Sequence, residues 1–287
     1  MTDDPYLAHR GLLFTVAYEM LGSAADAEDV VQEAWLRWAG VDQTEVHNPR
    51  AYLVRIVTRL ALNRLRTVAR QREEYVGPWL PEPLLTSPDV AEDVELAESV
   101  SIAMLTVLET LGPTERAVFV LHEVFETPYD EIAEAVGKTV AAVRQIAHRA
   151  REHVIARRPR MRVDPAEQQA VVDKFMAALD GGDLRSLMDV LAPDVVLITD
   201  GGGVLRAARK PVVGAEKVLT FLARAAKAPD LAATRVWVNG MPGARLDVEG
   251  TPAVVSLVVA DGRVTHIYAI RNPHKLGWLD RMADLRR

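Results

Sequence analysis

Seven arginines and no acidic residue fall between positions 50 and 72. Arg55, Arg59, Arg66 and Arg70 are spaced to share one helix face, a basic stripe beside an apolar one of Leu53, Ile56, Val57, Leu60 and Leu65. A guanidinium keeps its charge and donates through a planar fork, so this stripe suits a phosphodiester backbone. The alternative is a solvated face balanced by the acidic residues before it. A second basic block, 138–160, has seven basic groups against Glu152 alone. There a short helix (Tyr129–Val136), the turn Gly137-Lys138-Thr139 and a longer helix from Val140 describe a helix-turn-helix. Gly137 suits a left-handed position after the first helix and Thr139 suits the N-cap of the second. The second helix of such a motif enters the major groove, which places Thr139, Ala141, Ala142, Arg144, Gln145, His148 and Arg149 to meet bases and phosphates. A helical hairpin with a solvated basic face has the same pattern.

The C-terminal part offers acid–base groups instead: Asp200, Asp247, His266, Tyr268 and His274. Such chemistry needs them within hydrogen-bond reach of one another in a dry cavity. Gly201-Gly202-Gly203 is followed neither by Lys-Ser/Thr nor directly by a helix, so it predicts a tight turn or bulge rather than a phosphate loop. Cysteine is absent and the seven histidines are scattered, which excludes thiolate chemistry and leaves no metal site to expect. No catalytic residue, metal or cofactor is therefore predicted.

The elements that must hold these groups follow from periodicity. Leu12, Leu13, Val16, Ala17 and Met20 make one helix. Ser23 caps a second, with Asp26, Glu28 and Asp29 in its first turns and Val30, Val31, Ala34, Trp35 and Trp38 on its apolar face. Asn48-Pro49 opens the arginine helix. Tyr75–Leu84 holds three prolines and cannot be helix interior, yet it carries Tyr75, Trp79, Leu80 and Leu84, so it should dock rather than swing free. Helices resume near Pro88 and run to about Arg158, with Val118, Phe119, Leu121 and Val124 buried in a helix opened by Pro113. Beyond Pro165 the pattern is two helices (165–180 and 183–191), a strand at 195–198, a helix at 214–227, and strands near 231–239, 244–249, 252–260 and 263–271, with a turn at Gly240–Gly243. That order predicts an α+β domain with a curved antiparallel sheet.

Length and charge agree with several modules. The chain has 287 residues, 49% hydrophobic and 26% charged, which is ordinary globular composition. The net charge of −6 conceals blocks of −7 (1–49), +7 (50–72), −14 (73–137), +6 (138–160) and +2 (161–287). Two basic helices in acidic surroundings are compatible with nucleic-acid binding despite the net charge. No apolar run approaches membrane-spanning length and the N-terminus has no signal-peptide core, so a soluble cytoplasmic protein with no membrane partner is expected.

The ordered motifs resemble a known family. Asp26-Ala27-Glu28-Asp29-Val30-Val31-Gln32-Glu33-Ala34-Trp35-Leu36 is similar to region 2.2 of the extracytoplasmic-function (ECF) RNA polymerase sigma factors of the sigma-70 family. Pro49–Ile56 through Asn63-Arg64-Leu65-Arg66 resembles regions 2.3–2.4, and Leu111–Phe119 through Arg149-Ala150-Arg151 resembles region 4. The resemblance implies a transcription initiation factor, not an enzyme, with core RNA polymerase and promoter DNA as partners. On that reading Asp26, Glu28, Asp29, Gln32 and Glu33 bind polymerase. Arg55, Arg59, Asn63 and Arg66 serve the −10 element, with a flipped base held near Val41–Asn48. Thr139, Arg144, Gln145, His148 and Arg149 serve the −35 element. Arg59 stands where many members carry asparagine.

The C-terminal order resembles a SnoaL-like α+β cone, which a subgroup of these factors carries as a fused extension regulating them in cis. Tyr75–Leu84, Asp200–Gly203 and Asn272-Pro273-His274-Lys275-Leu276 correspond to the subgroup's characteristic stretches, implying regulatory contacts at Trp79, Pro81, Asp200, Gly201, Gly202, Asn272, Pro273 and Lys275. Val204 stands where lysine often follows the glycines. The expected architecture is two all-α domains and then the cone: residues 1–74 (region 2), a Trp/Pro linker at 75–90, 91–160 (region 4, helix-turn-helix) and 165–287 (SnoaL-like). The alternative is an enzyme or ligand sensor whose cone binds or converts a small molecule.

Overall fold

In the computed structural model, residues 4–159, 165–225, 232–248 and 250–287 are described. Three helices come first: α1 (Pro5–Leu21), α2 (Ala24–Ala39) and α3 (Pro49–Glu73). Then follow a short strand β1 (Leu85–Thr86), α4 (Val94–Val100), α5 (Ile102–Leu108), α6 (Pro113–Phe119), α7 (Tyr129–Val136) and α8 (Val140–Arg157). The C-terminal part contains α9 (Pro165–Asp180), α10 (Leu184–Val190), β2 (Leu191–Asp200), β3 (Val212–Val213), α11 (Ala215–Ala225), β4 (Ala232–Val238), β5 (Met241–Val248), β6 (Thr251–Ala260), β7 (Arg263–Ile270) and β8 (Met282–Ala283). No helix of the described residues is long and apolar enough to cross a membrane.

The chain forms two compact units. The first comprises residues 1–73, 104–158 and 284–287; the second comprises 74–103 and 159–283. Residues 91–103, which the sequence groups with the helix-turn-helix, therefore cluster with the cone, as does the Trp/Pro linker.

In the first unit α1 is the central helix. Every residue from Leu12 to Leu21 is buried, wider than the apolar face its periodicity predicts, because α2, α3 and α6 all pack on it. Local signals set the helix starts. Asp4 accepts from the Tyr6 amide (2.9 Å), Ser23 from Asp26 (3.2 Å) and Asn48 from Ala51 (3.1 Å), each cap contributing about 1 kcal/mol. Trp38 and Leu53 are fully buried between the helices, whereas Trp35, expected on the same apolar face, is 38% exposed and tilts against Tyr6 with ring centroids 5.0 Å apart. The helix opened by Pro113 changes pitch: α6 ends at Phe119 and a wider π-type turn carries Val120–Val124, keeping Leu121 and Val124 inside.

The second unit is an eight-stranded sheet in the order β3-β2-β7-β6-β5-β4-β1-β8. It is mixed, not antiparallel as expected. β2 pairs with β7 in parallel, because the chain returns to β2 only after α11 and the β4–β7 meander, and β1 pairs with β8 in parallel. The turn expected over Gly240–Gly243 is tighter. Asn239 (φ 53°) and Gly240 (φ 72°) make a two-residue turn and Met241–Gly243 already belong to β5, since an Asn-Gly pair adopts the left-handed conformation that hairpin twist demands. Strand β6 is apolar apart from Thr251 and Ser256 because both its faces are covered. Val255, Leu257 and Val259 pack with Phe175, Leu187 and Val218 of the α9–α11 helices, whereas Val254 and Val258 pack with Leu80, Ile102 and Leu276.

Candidate functional site

The arginine stripe of α3 is built as its spacing predicts, but its members have different partners. Arg55 is half-buried, lies 5.1 Å over the Tyr52 ring and pairs with the Glu134 carboxylate. Arg59 donates to two main-chain oxygens at the end of α7, Glu134 O at 2.9 Å and Ala135 O at 3.4 Å. Asn63 and Arg66 are exposed and hydrogen-bond each other (3.3 Å). The side chain of Arg70 lies outside the described residues. Beside Arg55 a cavity of about 470 Å³ is lined by Val41–Asn48 residues, Tyr52, Glu131 and Glu134.

The acidic set on α2 divides. Asp29, Gln32 and Glu33 are exposed, together with Trp35 and Leu36 (70% exposed), which leaves an apolar ridge among acids. Asp26 is held by Arg64 of α3 (2.9 and 2.5 Å) and Glu28 by Arg10 of α1 (2.5 Å). Asp26 thereby fixes α2 against α3, and its hydrogen bond holds the Arg64 guanidinium even more firmly protonated, against a smaller opposite effect of burial.

The helix-turn-helix has the predicted turn. Gly137 sits at φ 68°, and Thr139 caps α8 by accepting from the Ala142 amide at 3.2 Å. Thr139, Ala141, Arg144, Gln145, His148 and Arg149 are exposed, while Val143, Ile146, Ala147 and Ala150 are buried, so α8 offers one continuous polar and basic face. His148 approaches Glu152 at 3.4 Å, and Arg144 lies 5.6 Å over the Tyr129 ring.

In the second unit the linker and two distant segments converge on Asp200, at the end of β2. Its carboxylate accepts from the Tyr75 hydroxyl, the Leu80 amide (2.9 Å), the Gly202 amide (3.0 Å) and Lys275 Nζ (2.8 Å). Its main-chain oxygen accepts from the amides of Arg271 and Asn272 (2.7 and 3.0 Å). Lys275 is 3% exposed, donates to Leu80 O at 2.5 Å and sits 3.2 Å from the Trp79 ring centroid, a cation against an aromatic face. Asn272 donates to the Tyr75 oxygen (2.8 Å) and caps the short turn Pro273–Lys275. Burial, then the Asp200 carboxylate, pushes the Tyr75 hydroxyl well above its ordinary range, so it remains a donor. Gly202 is needed here because φ is +62° and a Cβ would meet Asn272 at 2.5 Å. Pro81 and Gly201 are buried; Pro273 is exposed.

Sequence reasoning missed three anchors. Asn239 is buried in the β4–β5 turn and ties the linker and α4 to it through the two ends of its amide, accepting from Leu84 N (2.9 Å) and donating to Val100 O (2.8 Å). Its Asn-Gly context signals a turn, not this dock. Arg116 of α6, 1% exposed, donates to Glu19 O of α1 (2.8 Å) and to Glu109 (2.7 Å). Glu134 of α7 pairs with Arg55 79 positions away, and nothing in its own segment signals that contact.

The five acid–base candidates have different surroundings. Asp200 is engaged as above, Asp247 and His274 are exposed, and Tyr268 is packed among Val254, Val258 and Ile270. His266 stacks on Tyr268 with centroids 6.2 Å apart, and burial pulls its imidazole below the usual range against a smaller opposite pull from Asp194.

The Sigma-70 region 2 family model matches residues 6–71, and the model for Sigma-70, region 4 matches residues 101–154. The ECF RNA polymerase sigma factor SigJ of Mycobacterium tuberculosis is 40% identical over 284 residues, covering 93% of this chain and 91% of the relative. The Probable ECF RNA polymerase sigma factor SigI of the same species is 34% identical, covering 94% of this chain and 92% of the relative. The crystal structure of SigJ superposes with a TM-score of 0.75 at 39% identity, covering 93% of this chain and 95% of that one. With both sigma-70 regions matched in order and a relative spanning nine-tenths of each chain, the protein belongs to the ECF RNA polymerase sigma factors and is a transcription initiation factor.

Proposed function

We propose that this factor works purely by binding, in the cytoplasm, and that its C-terminal unit sets its output in cis. Asp29, Gln32 and Glu33, beside Trp35 and Leu36, meet core polymerase, with Asp26 and Glu28 shaping that face from their ion pairs. Arg55, Arg59, Asn63 and Arg66 serve the −10 element, and Thr139, Arg144, Gln145, His148 and Arg149 the −35 element. The observation that carries the promoter assignment is the single exposed face of α8 headed by the Thr139 cap. Control in cis rests on Trp79, Pro81, Asp200, Gly201, Gly202, Asn272, Pro273 and Lys275, which hold the segment joining the two sigma regions inside the C-terminal unit.

Run-off transcription with core polymerase, on a promoter selected from random DNA, tests both parts. Wild-type protein should give promoter-specific transcripts, and Trp79→Ala should change their yield while the chain stays folded. Absence of specific transcripts from both would overturn the promoter assignment, and equal yields would overturn control through the linker.

A ligand-sensing reading has one observation in its favour. A cavity of about 340 Å³ lies between Val76–Pro78 of the linker and the Thr199–Arg209 loop, with Arg206 and Arg209 on its wall. A small molecule seated there would bear directly on the linker dock. Thermal shift of the full chain against a panel of anionic metabolites tests it, and no shift with any of them would count against it.

A further inference from the structure

Region 4 covers the very arginines assigned to the −10 element. Glu134 and Ala135 form the last turn of α7, where main-chain oxygens without helical partners make the helix end negative. Arg55 takes the Glu134 carboxylate, and Arg59 takes two main-chain oxygens of that turn. Two guanidiniums thus face three anionic or partly negative oxygens, much as they would face successive phosphates. Glu131 and Glu134 also wall the cavity beside Tyr52 and Asn48, so the acidic side of α7 closes the pocket as well as the stripe. Behind this contact, buried Arg116 ties α6 to the end of α1.

We propose that α7 is an intramolecular stand-in for promoter DNA: its acidic C-terminal turn occupies Arg55 and Arg59, and must leave before those arginines reach phosphate. The inference rests on the −10 assignment above. The contact is built to exchange. Arg55 and Glu134 side chains are 28% and 60% exposed, and such pairs are weak and screened by salt, so a polyanion that offers several phosphates can displace them.

The natural absence of cysteine allows site-specific labelling of the full chain. A dye pair on Gln43→Cys, beside α3, and Ala156→Cys, on α8, reports the separation of regions 2 and 4 by energy transfer. In the same background Glu134→Gln and Glu134→Lys should lower transfer, as should added KCl in the parent. Run-off yield with core polymerase at limiting factor should rise about two- to fivefold for Glu134→Gln. Binding of a duplex carrying only the −35 element should be unchanged by Glu134→Gln, which separates release of α7 from any gain in the helix-turn-helix. Unchanged transfer in both variants overturns the proposal, whatever the yield. Lower transfer without higher yield overturns the claim that α7 obstructs. If the parent gives no promoter-specific transcripts, the −10 and −35 assignments fail instead.

Discussion

Replacing Asp200 by asparagine keeps the shape of the side chain and removes only its charge. The carboxylate is buried, with Lys275 Nζ 2.8 Å away and 3% of Lys275 exposed. At that distance two unit charges attract by about 6 kcal/mol if the effective dielectric is ~20. Withdrawing both ions from water costs several kcal/mol each, so the intact pair is near balance, while either ion left alone is strongly unfavourable. Asp200→Asn should therefore destabilise the C-terminal unit by about 3–5 kcal/mol. The asparagine amide also faces the Tyr75, Leu80 and Gly202 donors, which adds to the loss. For a unit of this size that is a fall in Tm of roughly 6–20 °C. Adding Lys275→Met to Asp200→Asn removes the stranded ammonium and should restore most of the loss. Urea and thermal unfolding of the full-length single and double variants measure the cycle, and hydrogen exchange of the Leu80 amide reports the dock locally. A double variant as unstable as the sum of the singles would refute the reasoning, as would a loss below ~1 kcal/mol in Asp200→Asn, a surface-pair value.

Three further outcomes are expected. The raised pKa of Tyr75 means its neutral form is favoured by folding, so that stability is full below the ordinary tyrosine value near 10 and is lost as pH rises above it. Tyr75→Phe should flatten part of this alkaline slope, the rest belonging to Tyr268, which burial also raises, while lowering stability at pH 7; urea midpoints from pH 7 to 11 check it. Gly202→Ala should cost about 2–4 kcal/mol in unfolding experiments, since it combines left-handed backbone with a clash on buried Asn272. Arg144→Ala should weaken duplex binding by about 1–3 kcal/mol with relaxed preference at one −35 base pair if its contact is bidentate, read by competition titration against single-base variants.

Much of the first unit could be read from residue spacing, because its signals are local. Ser23, Asn48, Gly137 and Thr139 each set an element boundary through a cap or turn that involves residues three or four positions away. Long-range partners carry no such signature. Glu134 on Arg55 spans 79 positions and Asn239 on Val100 spans 139, and neither glutamate nor asparagine looks unusual in its own segment. The direction of β2 escaped for a related reason: a hairpin announces its antiparallel partner, whereas β2 meets β7 across a helix and four strands. The linker lay in between. Its aromatic and proline content indicated docking, and the characteristic stretches indicated where, but the ion pair at the centre emerges only when Asp200 and Lys275 are brought together.

The placement of residues 74–103 bears on how control can pass along the chain. They connect region 2 to region 4 in sequence, yet they belong to the C-terminal unit, with β1 inserted between β4 and β8. Leu80, Leu84 and Ile102 are fully buried there, and the linker main chain takes hydrogen bonds from or gives them to Asp200, Asn239 and Lys275. Burial of three such side chains stabilises the dock by roughly 5–9 kcal/mol at the usual side-chain values, before the ion pair is considered. A flexible connector would let the two sigma regions separate freely on DNA. Here the connector's path is set by the sheet, so on the proposed assignments any event that loosens the Asp200–Lys275 contact lengthens the tether between the two sigma regions. The proposed control in cis therefore needs no contact between the C-terminal unit and DNA: it acts through how much chain is available between the two regions.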